Sequence, residues 1–511
     1  MSNFPWLTVL GGLPLLGAIV VALLPRGRGT AAKQLALVVS LVVLVLTVVM
    51  ASRYAAGGGM QFTESVMWVR QFGVHYSLGV DGIGLVLIGL TAVLTPVVIL
   101  AGWNDADEVG KRPQTYMALL LLLETMSIGV FAATDVFLFY VLFEAMLVPM
   151  YFIIGSFGGP QRSYAAVKFL LYSLLGGLIM LAAVIGLYVV AGKNSFLLTD
   201  LTGVHLAPVT ERWLFLGFFI AFAIKAPLVP FHTWLPDAAA ESTPAGAVLL
   251  VGVLDKVGTF GMLRLLLPLF PNASRYFAPM VIVLSVLGII YGALLAIGQT
   301  DIKRLIAYTS VSHFGFITLG IFAFTSQAQA GATLYMVNHG FSTGALFLVA
   351  GFLISRRGSR LIADYGGWQR VTPLLAGTFL VAGLSSLALP GLSSFVSEFM
   401  VLLGSFGRYR VAAVIATIGV ILAALYILIM YQRMMTGPVP EGRTGVRDMT
   451  MREAWVAAPL IAVLLALGFF PQTLLKVINP AVTTTMQQVH VTDPAPAVPP
   501  QAAATTEGTQ K

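Results

Sequence analysis

The sequence predicts an all-α integral membrane protein of about fourteen transmembrane helices, including two inverted five-helix repeats. Three observations support this fold class. Of the 511 residues, 58% are hydrophobic and only 10% are charged, whereas soluble domains carry about 25% charged residues. Apolar runs of about 18 residues or more, which can span a bilayer, recur along most of the chain. Two of these runs contain prolines close to ionisable residues.

The fourteen predicted spans follow one another with short loops. They lie at 5–25, 33–53, 79–102, 114–133, 135–156, 164–191, 212–234, 241–266, 277–297, 304–324, 330–355, 372–404, 409–434 and 452–471. The first span has its positive charges after the apolar run, which favours a retained helix over a cleaved signal peptide. The stretch 54–78, rich in Gly and aromatic residues, is expected to be an outer loop.

Two predicted spans are expected to be discontinuous. In the seventh span Pro227 and Pro230 follow Lys225, and in the twelfth Pro390 lies mid-span. Proline removes a helical hydrogen bond and clashes one turn back. In lipid, freed backbone groups persist only where they are buried in protein or line a wet cavity. The lysine beside the first break therefore indicates an ion path through the protein.

The two broken spans also suggest how the chain is divided. Each would be the third helix of a five-helix unit, and an odd number of spans makes two such units inverted. The expected regions are three N-terminal helices with an outer loop (1–113), a first repeat (114–266), a second, inverted repeat (277–434), a loop with the last helix (435–479) and a disordered tail (480–511). The tail is rich in Pro, Ala, Thr and Gln and cannot bury a core.

Loop charge predicts the orientation. With the N terminus outside, inner loops collect 17 of the 29 Lys and Arg residues and the outer side collects 10. Cytoplasmic loops carry the excess of positive charge, so both termini are expected outside. The net charge of +8 is spread over short loops, which argues against a nucleic-acid partner.

Metal and redox chemistry find little support in the composition. Cysteine is absent, which excludes thiolate-ligated iron–sulfur clusters and disulfides. The six histidines show no HxxxH or HxH spacing. Phosphate loops, nucleophile elbows and dinucleotide fingerprints are also lacking. No metal and no cofactor is therefore expected in this chain.

Ionisable residues at membrane depth are the candidate functional groups. A charge at the bilayer centre costs about 2.5–3.5 kcal/mol on insertion scales, so each suggests a function. The set comprises Glu124, Glu144, Lys225, Asp255, Lys256, His313, His339 and Glu398, with His232 in the first break. Glu124 could take up protons or pair with a loop cation, and His232 could cap the break or relay a proton.

Glu144 and Lys225 are expected to form a pair. Burial disfavours the charged form of a lysine, and a nearby carboxylate restores it. Moving Glu144 away would therefore release the proton of Lys225. The alternative is a static ion pair that ties two helices together. Buried pairs contribute little to stability, which favours the switch.

The remaining candidates lie further along the chain. Lys256 is surrounded by small residues, and Asp255 beside it diverges by about 100°, so the aspartate could be a local counter-charge or serve another neighbour. His313 and His339 lie in consecutive spans flanked by Ser, Thr and Asn, and imidazole both accepts and donates protons. Glu398 follows the second break as the acidic counterpart of the lysine at the first.

Several blocks of the sequence resemble a known family. They are FEAMLVPMYFIIG, IKAPLVPFHTWLPDAAAESTPAGAVLL, LDKVGTFGMLR, DIKRLIAYTSVSHFGF, VNHGFSTGALF and LPGLSSFVSEF. They are similar to the antiporter-like proton-pumping subunits of respiratory complex I, from about residue 75 to 435. The FEAMLVPMY block and Glu398 resemble the subunit M branch, the counterpart of mitochondrial chain 4.

The resemblance implies roles for these residues. It implies that Glu144 and Lys225 are an uptake-side ion pair and that Lys256 is the central lysine. His313 and His339 would continue the hydrophilic axis, and Glu398 would be the terminal glutamate. The resemblance also implies a proton-translocating subunit of a bacterial plasma-membrane NADH–quinone oxidoreductase, in contact with lipids and paralogous membrane-arm subunits. FMN, iron–sulfur clusters and quinone are expected in partner subunits. Asp255 departs from the apolar residue expected beside the central lysine.

Three other functions fit parts of this pattern. A subunit of a multisubunit sodium/proton antiporter shares the same motifs and needs no NADH. A membrane-bound hydrogenase arm is a second alternative. A structural scaffold is the third, and it predicts that neutralising the intramembrane charges changes assembly but not proton movement.

Overall fold

The computed structural model describes residues 4–57, 59–439 and 445–495. Its regular structure is almost entirely helical, because segments in lipid must satisfy their backbone hydrogen bonds internally. A two-stranded antiparallel hairpin, β1 (Gln61–Val69) and β2 (Val74–Val80), follows the first two helices. The first nine helices are α1 (Trp6–Leu23), α2 (Gly29–Ser52), α3 (Gly82–Ala101), α4 (Asp105–Glu108), α5 (Pro113–Ala132), α6 (Val136–Ala145), α7 (Leu147–Phe157), α8 (Arg162–Ala191) and α9 (Leu198–Leu201).

The first broken crossing consists of α10 (Pro208–Lys225) and α11 (Trp234–Glu241). Pro227 and Pro230 lie in the turns between the two helices, so the predicted discontinuity is confirmed. The indole nitrogen of Trp234 donates a hydrogen bond of 2.9 Å to the carbonyl oxygen of Ile224. This bond satisfies a carbonyl that the end of α10 leaves free.

The helix after this break is continuous from Pro244 to Leu269 but irregular. It comprises α12 (Pro244–Leu249), α13 (Lys256–Gly261) and α14 (Leu267–Leu269), joined by π-helical turns at Leu250–Leu254 and Met262–Leu266. Such turns are rare and occur frequently at functional sites. Asp255 and Lys256 lie between the two turns, in a helix that is buried over almost all of its length.

The second half contains the other broken crossing. Its helices are α15 (Pro271–Ile297), α16 (Ile302–Phe322), α17 (Ser326–Arg357), α18 (Trp368–Val371), α19 (Pro373–Ser386), α20 (Ser393–Phe406), α21 (Arg410–Met435), α22 (Met451–Phe469) and α23 (Gln472–Gln488). Pro390 and Gly391 separate α19 from α20, and Gly391 has a φ of +92°. This left-handed conformation is readily accessible to glycine. The second predicted discontinuity is therefore confirmed.

The all-α membrane fold is confirmed. Within the described ranges, twelve helices are long and apolar enough to cross a membrane. The two broken crossings correspond to the other two predicted spans, with boundaries shifted by a few residues. The interior is formed mainly by α3, the helix α12–α14, α16 and α17, whose surfaces are mostly buried. The peripheral helices α2 and α8 expose apolar side chains, as expected for a lipid-facing surface.

Outside the spans, one prediction was incomplete and one was wrong. The stretch 54–78, predicted as an outer loop, contributes to the hairpin β1–β2, which was not predicted. The tail 480–511 is not disordered throughout, because α23 extends to Gln488. Apolar residues at intervals of four on α23, such as Ile478, Val482 and Met486, are buried, and α23 packs against α3, α14 and α17. Residues 496–511 of the predicted tail lie outside the described residues.

Candidate proton-relay site

Lys225 ends α10 in an apolar environment. Its side chain is 1% exposed, and its ammonium nitrogen has no hydrogen-bond partner among the described residues. The nitrogen lies 4.7 Å from the ring centre of Phe143 and 5.9 Å from that of Phe169. Aromatic faces attract a cation at such distances. The broken helix therefore presents a buried lysine that only aromatic rings and distant charges stabilise.

The expected direct contact between Glu144 and Lys225 is not formed. No carboxylate oxygen of Glu144 lies within 4.0 Å of the lysine nitrogen, although the two charges still interact over a longer distance. The carboxylate packs instead against Gly177 of α8, where a Cβ would lie 2.8 Å from Oε2. The ring of Phe143 occupies the space beside the ammonium group. Glu144 and Lys225 are therefore neighbours that do not form a direct ion pair.

Lys256 contacts the second half of the protein directly. Its nitrogen lies 2.6 Å from Nδ1 of His339 on α17 and also donates to the carbonyl oxygen of Val251. The ring centre of Phe314 lies 5.0 Å away. With Lys256 as donor, His339 carries its own proton on Nε2. The predicted central lysine and this histidine therefore form one hydrogen-bonded unit.

The second histidine continues the row from Lys256. The rings of His313 and His339 have centres 5.2 Å apart. His313 Nε2 lies 3.4 Å from the hydroxyl of Tyr426, and its ring centre lies 5.8 Å from that of Tyr335. The structure thus brings the two predicted histidines together, as their polar sequence contexts indicated.

The predicted terminal glutamate closes the row. Tyr335 donates a hydrogen bond of 2.7 Å to Oε2 of Glu398. Beside it, the amide of Asn338 donates to the carbonyl of Ser393 at 2.6 Å and lies 3.0 Å from the hydroxyl of Ser397. These bonds attach α17 to the first turn of α20, just after the second break. The break and the glutamate therefore belong to one polar cluster.

Two side chains that contact the row were not predicted from the sequence. Tyr335 lies four residues before His339 and therefore on the same helical face, which was the available signal. Tyr426 on α21 has no such signal, because its approach to His313 depends on tertiary packing. Burying a tyrosine in a membrane helix costs less than burying a charged residue, so a tyrosine is a weaker indication of function.

Glu124, His232 and Asp255 remain apart from the row. Glu124 is buried on α5, and neither of its carboxylate oxygens has a hydrogen-bond partner among the described residues. His232 lies in the first break with its ring centre 5.5 Å from that of Tyr291. Asp255 is fully buried, and its two oxygens likewise have no partner in the described ranges.

Buried polar atoms along this region indicate where water is needed. Within the described residues, Lys225 Nζ, both oxygens of Asp255, His339 Nε2 and Glu398 Oε1 have no hydrogen-bond partner in the protein. Buried polar groups in native proteins are almost always paired, with protein or with ordered water. Internal waters typically make about three hydrogen bonds to such groups. The row of side chains is therefore suited to hold water between its members.

An ionic network lies at the end of α11. Lys168 donates to Asp237 at 2.6 Å, and Arg304 pairs with the other oxygen of that carboxylate. Glu241 pairs with Arg360 at 2.9 Å. A cavity of about 520 Å³ adjoins Glu241 and Arg360. The cavity therefore adjoins the polar end of the first broken crossing.

A second chain of polar groups on this face leads to α12. Burial raises the pKa of Asp105 to about 6, and the hydroxyl of Tyr116 donates to its Oδ2 at 2.9 Å. The same hydroxyl lies 2.8 Å from that of Thr243, which accepts a hydrogen bond from the amide of Gly246. Asp105 therefore exchanges protons nearer neutral pH than an ordinary aspartate.

The opposite face contains a separate cavity of about 440 Å³, lined in part by Tyr54, Gln488 and the ion pair of Asp81 with Arg264. The hairpin side of the protein and α23 thus enclose a space of mixed polar and apolar lining at the far end of the central helix. No group of three or more His, Asp or Glu side chains suited to a metal occurs in the part of the chain that the structure describes.

Fold and site together define a polytopic helical membrane protein with a buried row of ionisable side chains between two broken helices. A family model described as NADH:quinone oxidoreductase/Mrp antiporter, TM, matches residues 133–425. NADH-quinone oxidoreductase subunit M of Mycobacterium tuberculosis is 54% identical over 98% of this chain and 97% of its own length.

Solved structures share the same fold. A chain of respiratory complex I from Thermus thermophilus with bound NADH is 32% identical, with a TM-score of 0.86 over 94% of this chain and 99% of that one. A chain of the Mrp complex from a Dietzia species, 23% identical, has a TM-score of 0.86 over 96% of this chain and 100% of its own. The protein belongs to the NADH:quinone oxidoreductase/Mrp antiporter transmembrane family, within its subunit M branch.

Proposed function

We propose that this protein translocates protons across the membrane as an antiporter-like subunit of a NADH–quinone oxidoreductase. The observation that carries the proposal is the buried row from Lys256 through His339, His313 and Tyr335 to Glu398, with a 2.6 Å contact at its start and a 2.7 Å hydrogen bond at its end. Ionisable residues within membrane segments are costly and typically mark ion paths.

The proposed route begins at the face that the loop charge assigns to the inside. A proton reaches the neighbourhood of Glu144 and Lys225 through the polar end of α11. It passes to Lys256 and then to the histidines, with water bridging the longer gaps. It leaves outward past Glu398. The two five-helix regions, 114–266 and 277–434, would each supply one half of the route, with the break at Lys225 in one and the break before Glu398 in the other.

The energy needed to move a proton across the membrane is similar to the energy of a modest pKa change in a buried group. Moving one charge against 100 mV requires about 2.3 kcal/mol. A change of two pKa units in a buried group corresponds to about 2.7 kcal/mol. Exchanging the partner of a single buried lysine is therefore sufficient to move one proton. The open geometry of Glu144 and Lys225 supports a role as the movable contact, because a static structural pair would be closed.

The redox chemistry belongs to partner subunits in this proposal. The chain has no cysteine, so thiolate-ligated clusters would have to be held elsewhere. FMN, iron–sulfur clusters and quinone are assigned to those partners, and this chain acts as a translocase without a redox site of its own. We also propose a location in the bacterial plasma membrane, with both termini on the outer side as the loop charge indicates.

A sodium/proton antiporter subunit is the second candidate, favoured by the fold likeness to the Mrp chain. The two candidates differ in what drives the proton. NADH oxidation coupled to proton uptake in purified complex supports the oxidoreductase. Proton movement driven by a sodium gradient, without NADH, supports the antiporter.

The decisive test replaces Lys225 or Lys256 with alanine. Each substitution removes a proton carrier from the middle of the route, so the number of protons pumped per NADH oxidised should fall. The measurement is proton uptake into inverted membrane vesicles alongside the rate of NADH oxidation. Lys476→Ala, an exposed lysine on α23, is the matched control and should leave the ratio unchanged. Pumping at the wild-type ratio in both relay variants would contradict the proposal.

A further inference from the structure

Asp255 is a fully buried carboxylate that the relay described above does not use. It is 0% exposed, and neither oxygen has a hydrogen-bond partner among the described residues. Removing an ionised carboxylate from water is costly unless it is paired or solvated inside the protein. Such a residue in the most buried helix of the fold requires an explanation.

The face of the helix that carries Asp255 is directed at the first broken helix. Gly258 lies three residues later and therefore on the same face. A Cβ at Gly258 would lie 2.6 Å from the carbonyl oxygen of Phe222 and 2.7 Å from the amide nitrogen of Ala226. These atoms flank Lys225 at the end of α10. The close approach places the Asp255 side of α13 against the break.

Lys256 is directed at the other half of the protein. It contacts His339 on α17, and Thr259, three residues later on the same face, donates a hydrogen bond of 2.8 Å to the sulfur of Met336 on that helix. Adjacent residues on a helix diverge by about 100°. The two neighbouring side chains therefore lie on different faces of one helix, one towards α10 and the other towards α17.

The electrostatic environment agrees with this geometry. Asp255 is next to Lys256 in the chain, and its face of the helix lies against the end of α10 that carries Lys225. No direct ion pair within 4.0 Å joins Asp255 to either lysine in the described part of the chain. A proton passing between these groups would therefore need bridging water.

We propose that Asp255 is a proton-carrying residue that connects Lys225 at the first break to Lys256 and its histidine partner. This inference rests on the proposed proton-translocating function and adds the connection between its two halves. A carboxylate suits this place because it alternates between a neutral and a charged form as each neighbouring lysine changes its own charge.

The transfer is balanced as two steps. The ammonium group of Lys225 loses a proton through water to the carboxylate of Asp255, which leaves a neutral amine and a neutral carboxylic acid. The carboxylic acid then gives its proton to the neutral amine of Lys256, which restores the carboxylate and creates an ammonium group. One positive charge has moved from the first lysine to the second, and the waters between them are unchanged.

The test uses the complete complex in inverted vesicles with four variants: Asp255→Asn, Asp255→Glu, Lys256→Ala and Thr259→Val. Asparagine keeps the shape but carries no proton, so proton transfer through this subunit should slow by about 10²-fold or more. The loss of protons per NADH should equal that of Lys256→Ala. Glutamate should restore most of the pumping. Thr259→Val is the control, because it removes a hydroxyl group about one turn away from Asp255. This variant should keep the wild-type number of protons per NADH.

Other outcomes separate the two proposals. If Lys256→Ala loses pumping while Asp255→Asn keeps it, Asp255 is outside the route and this inference is wrong, but the proposed function stands. If Lys256→Ala also pumps normally, the proposed function itself fails. A double variant of Asp255→Asn with Lys256→Ala should lose no more than either single variant, since both act on one route.

A static counter-charge for Lys256 is the competing role for Asp255. That role predicts that Asp255→Asn and Asp255→Leu both prevent assembly of the complex while Asp255→Glu permits it, and this result would overturn the inference. An infrared difference spectrum during turnover provides a second readout. A carboxylic-acid band that appears in the wild type and is lost in Asp255→Asn supports proton carriage, and an identical spectrum in the two proteins refutes it.

Discussion

Tyr335 shows how much a single side chain contributes to this site. Its hydroxyl donates to Glu398 at 2.7 Å, and its ring lies beside His313. The glutamate, the lysines and the histidines could be predicted from the sequence because charged or titratable groups are rare in apolar runs. The tyrosines could not, because an aromatic residue with a hydroxyl is unremarkable in a membrane helix. The separation of Glu144 from Lys225 was equally hidden, since it depends on rotamers.

The substitution Tyr335→Phe tests this contact. It removes the donor to Glu398 and leaves a buried carboxylate oxygen without its protein partner, at a cost of about 1–3 kcal/mol. We expect fewer protons per NADH in vesicles, with the complex still assembled. Tyr188→Phe is the control, because that hydroxyl lies at the exposed end of α8. Equal proton ratios in the two variants would remove Tyr335 from the route.

At the scale of single elements, prolines made the two broken helices predictable. Pro227, Pro230 and Pro390 all lie in the interruptions. The π-helical turns on either side of α13 were not predictable, because no residue type specifies them. The helix α23 had a detectable signal in the spacing of its apolar residues, but its polar composition suggested a disordered tail.

The second break depends on close packing against α22. A Cβ at Gly468 would lie 2.6 Å from the carbonyl carbon of Gly391 and 2.8 Å from the Cα of Leu392. Gly468→Ala should therefore displace the break, at a cost of about 1–3 kcal/mol from overpacking, and reduce pumping through Glu398. Thermal unfolding and the proton ratio of the purified complex measure both effects.

Gly377 on α19 provides the matched control for that experiment. A Cβ there would meet no atom within 4 Å, and alanine is the better helix former by about 1 kcal/mol. Gly377→Ala should therefore be neutral or slightly stabilising. A Gly468→Ala protein that behaves like Gly377→Ala would show that the break tolerates displacement.

The whole molecule is joined across its hairpin face by α23, which packs on α3, α14 and α17 from different parts of the chain. Gly82 at the start of α3 permits this approach, because any side chain there would collide with the carbonyl of Val477. The overall class of fold followed from composition and apolar runs alone. That a C-terminal helix of polar composition covers one face could be learned only from the tertiary structure.

The substitution Val482→Asp tests this closure. Val482 lies on the buried face of α23. An unpaired carboxylate there should destabilise the fold by at least about 3 kcal/mol and reduce the amount of assembled complex. Thr483→Asp places the same group on the exposed face of α23 and should assemble normally. Native gel electrophoresis of solubilised membranes measures the amounts. Normal assembly of both variants would mean that α23 is dispensable.

The covalent link between Asp255 and Lys256 has one last consequence. Because the two residues are consecutive, no movement of the helix can change the position of one without the other. Any turn of this helix away from its present orientation would withdraw the carboxylate from α10 and the ammonium group from α17 together. Both ends of the connection would then be interrupted at once, and the bilayer would stay sealed against leakage while the helix is displaced.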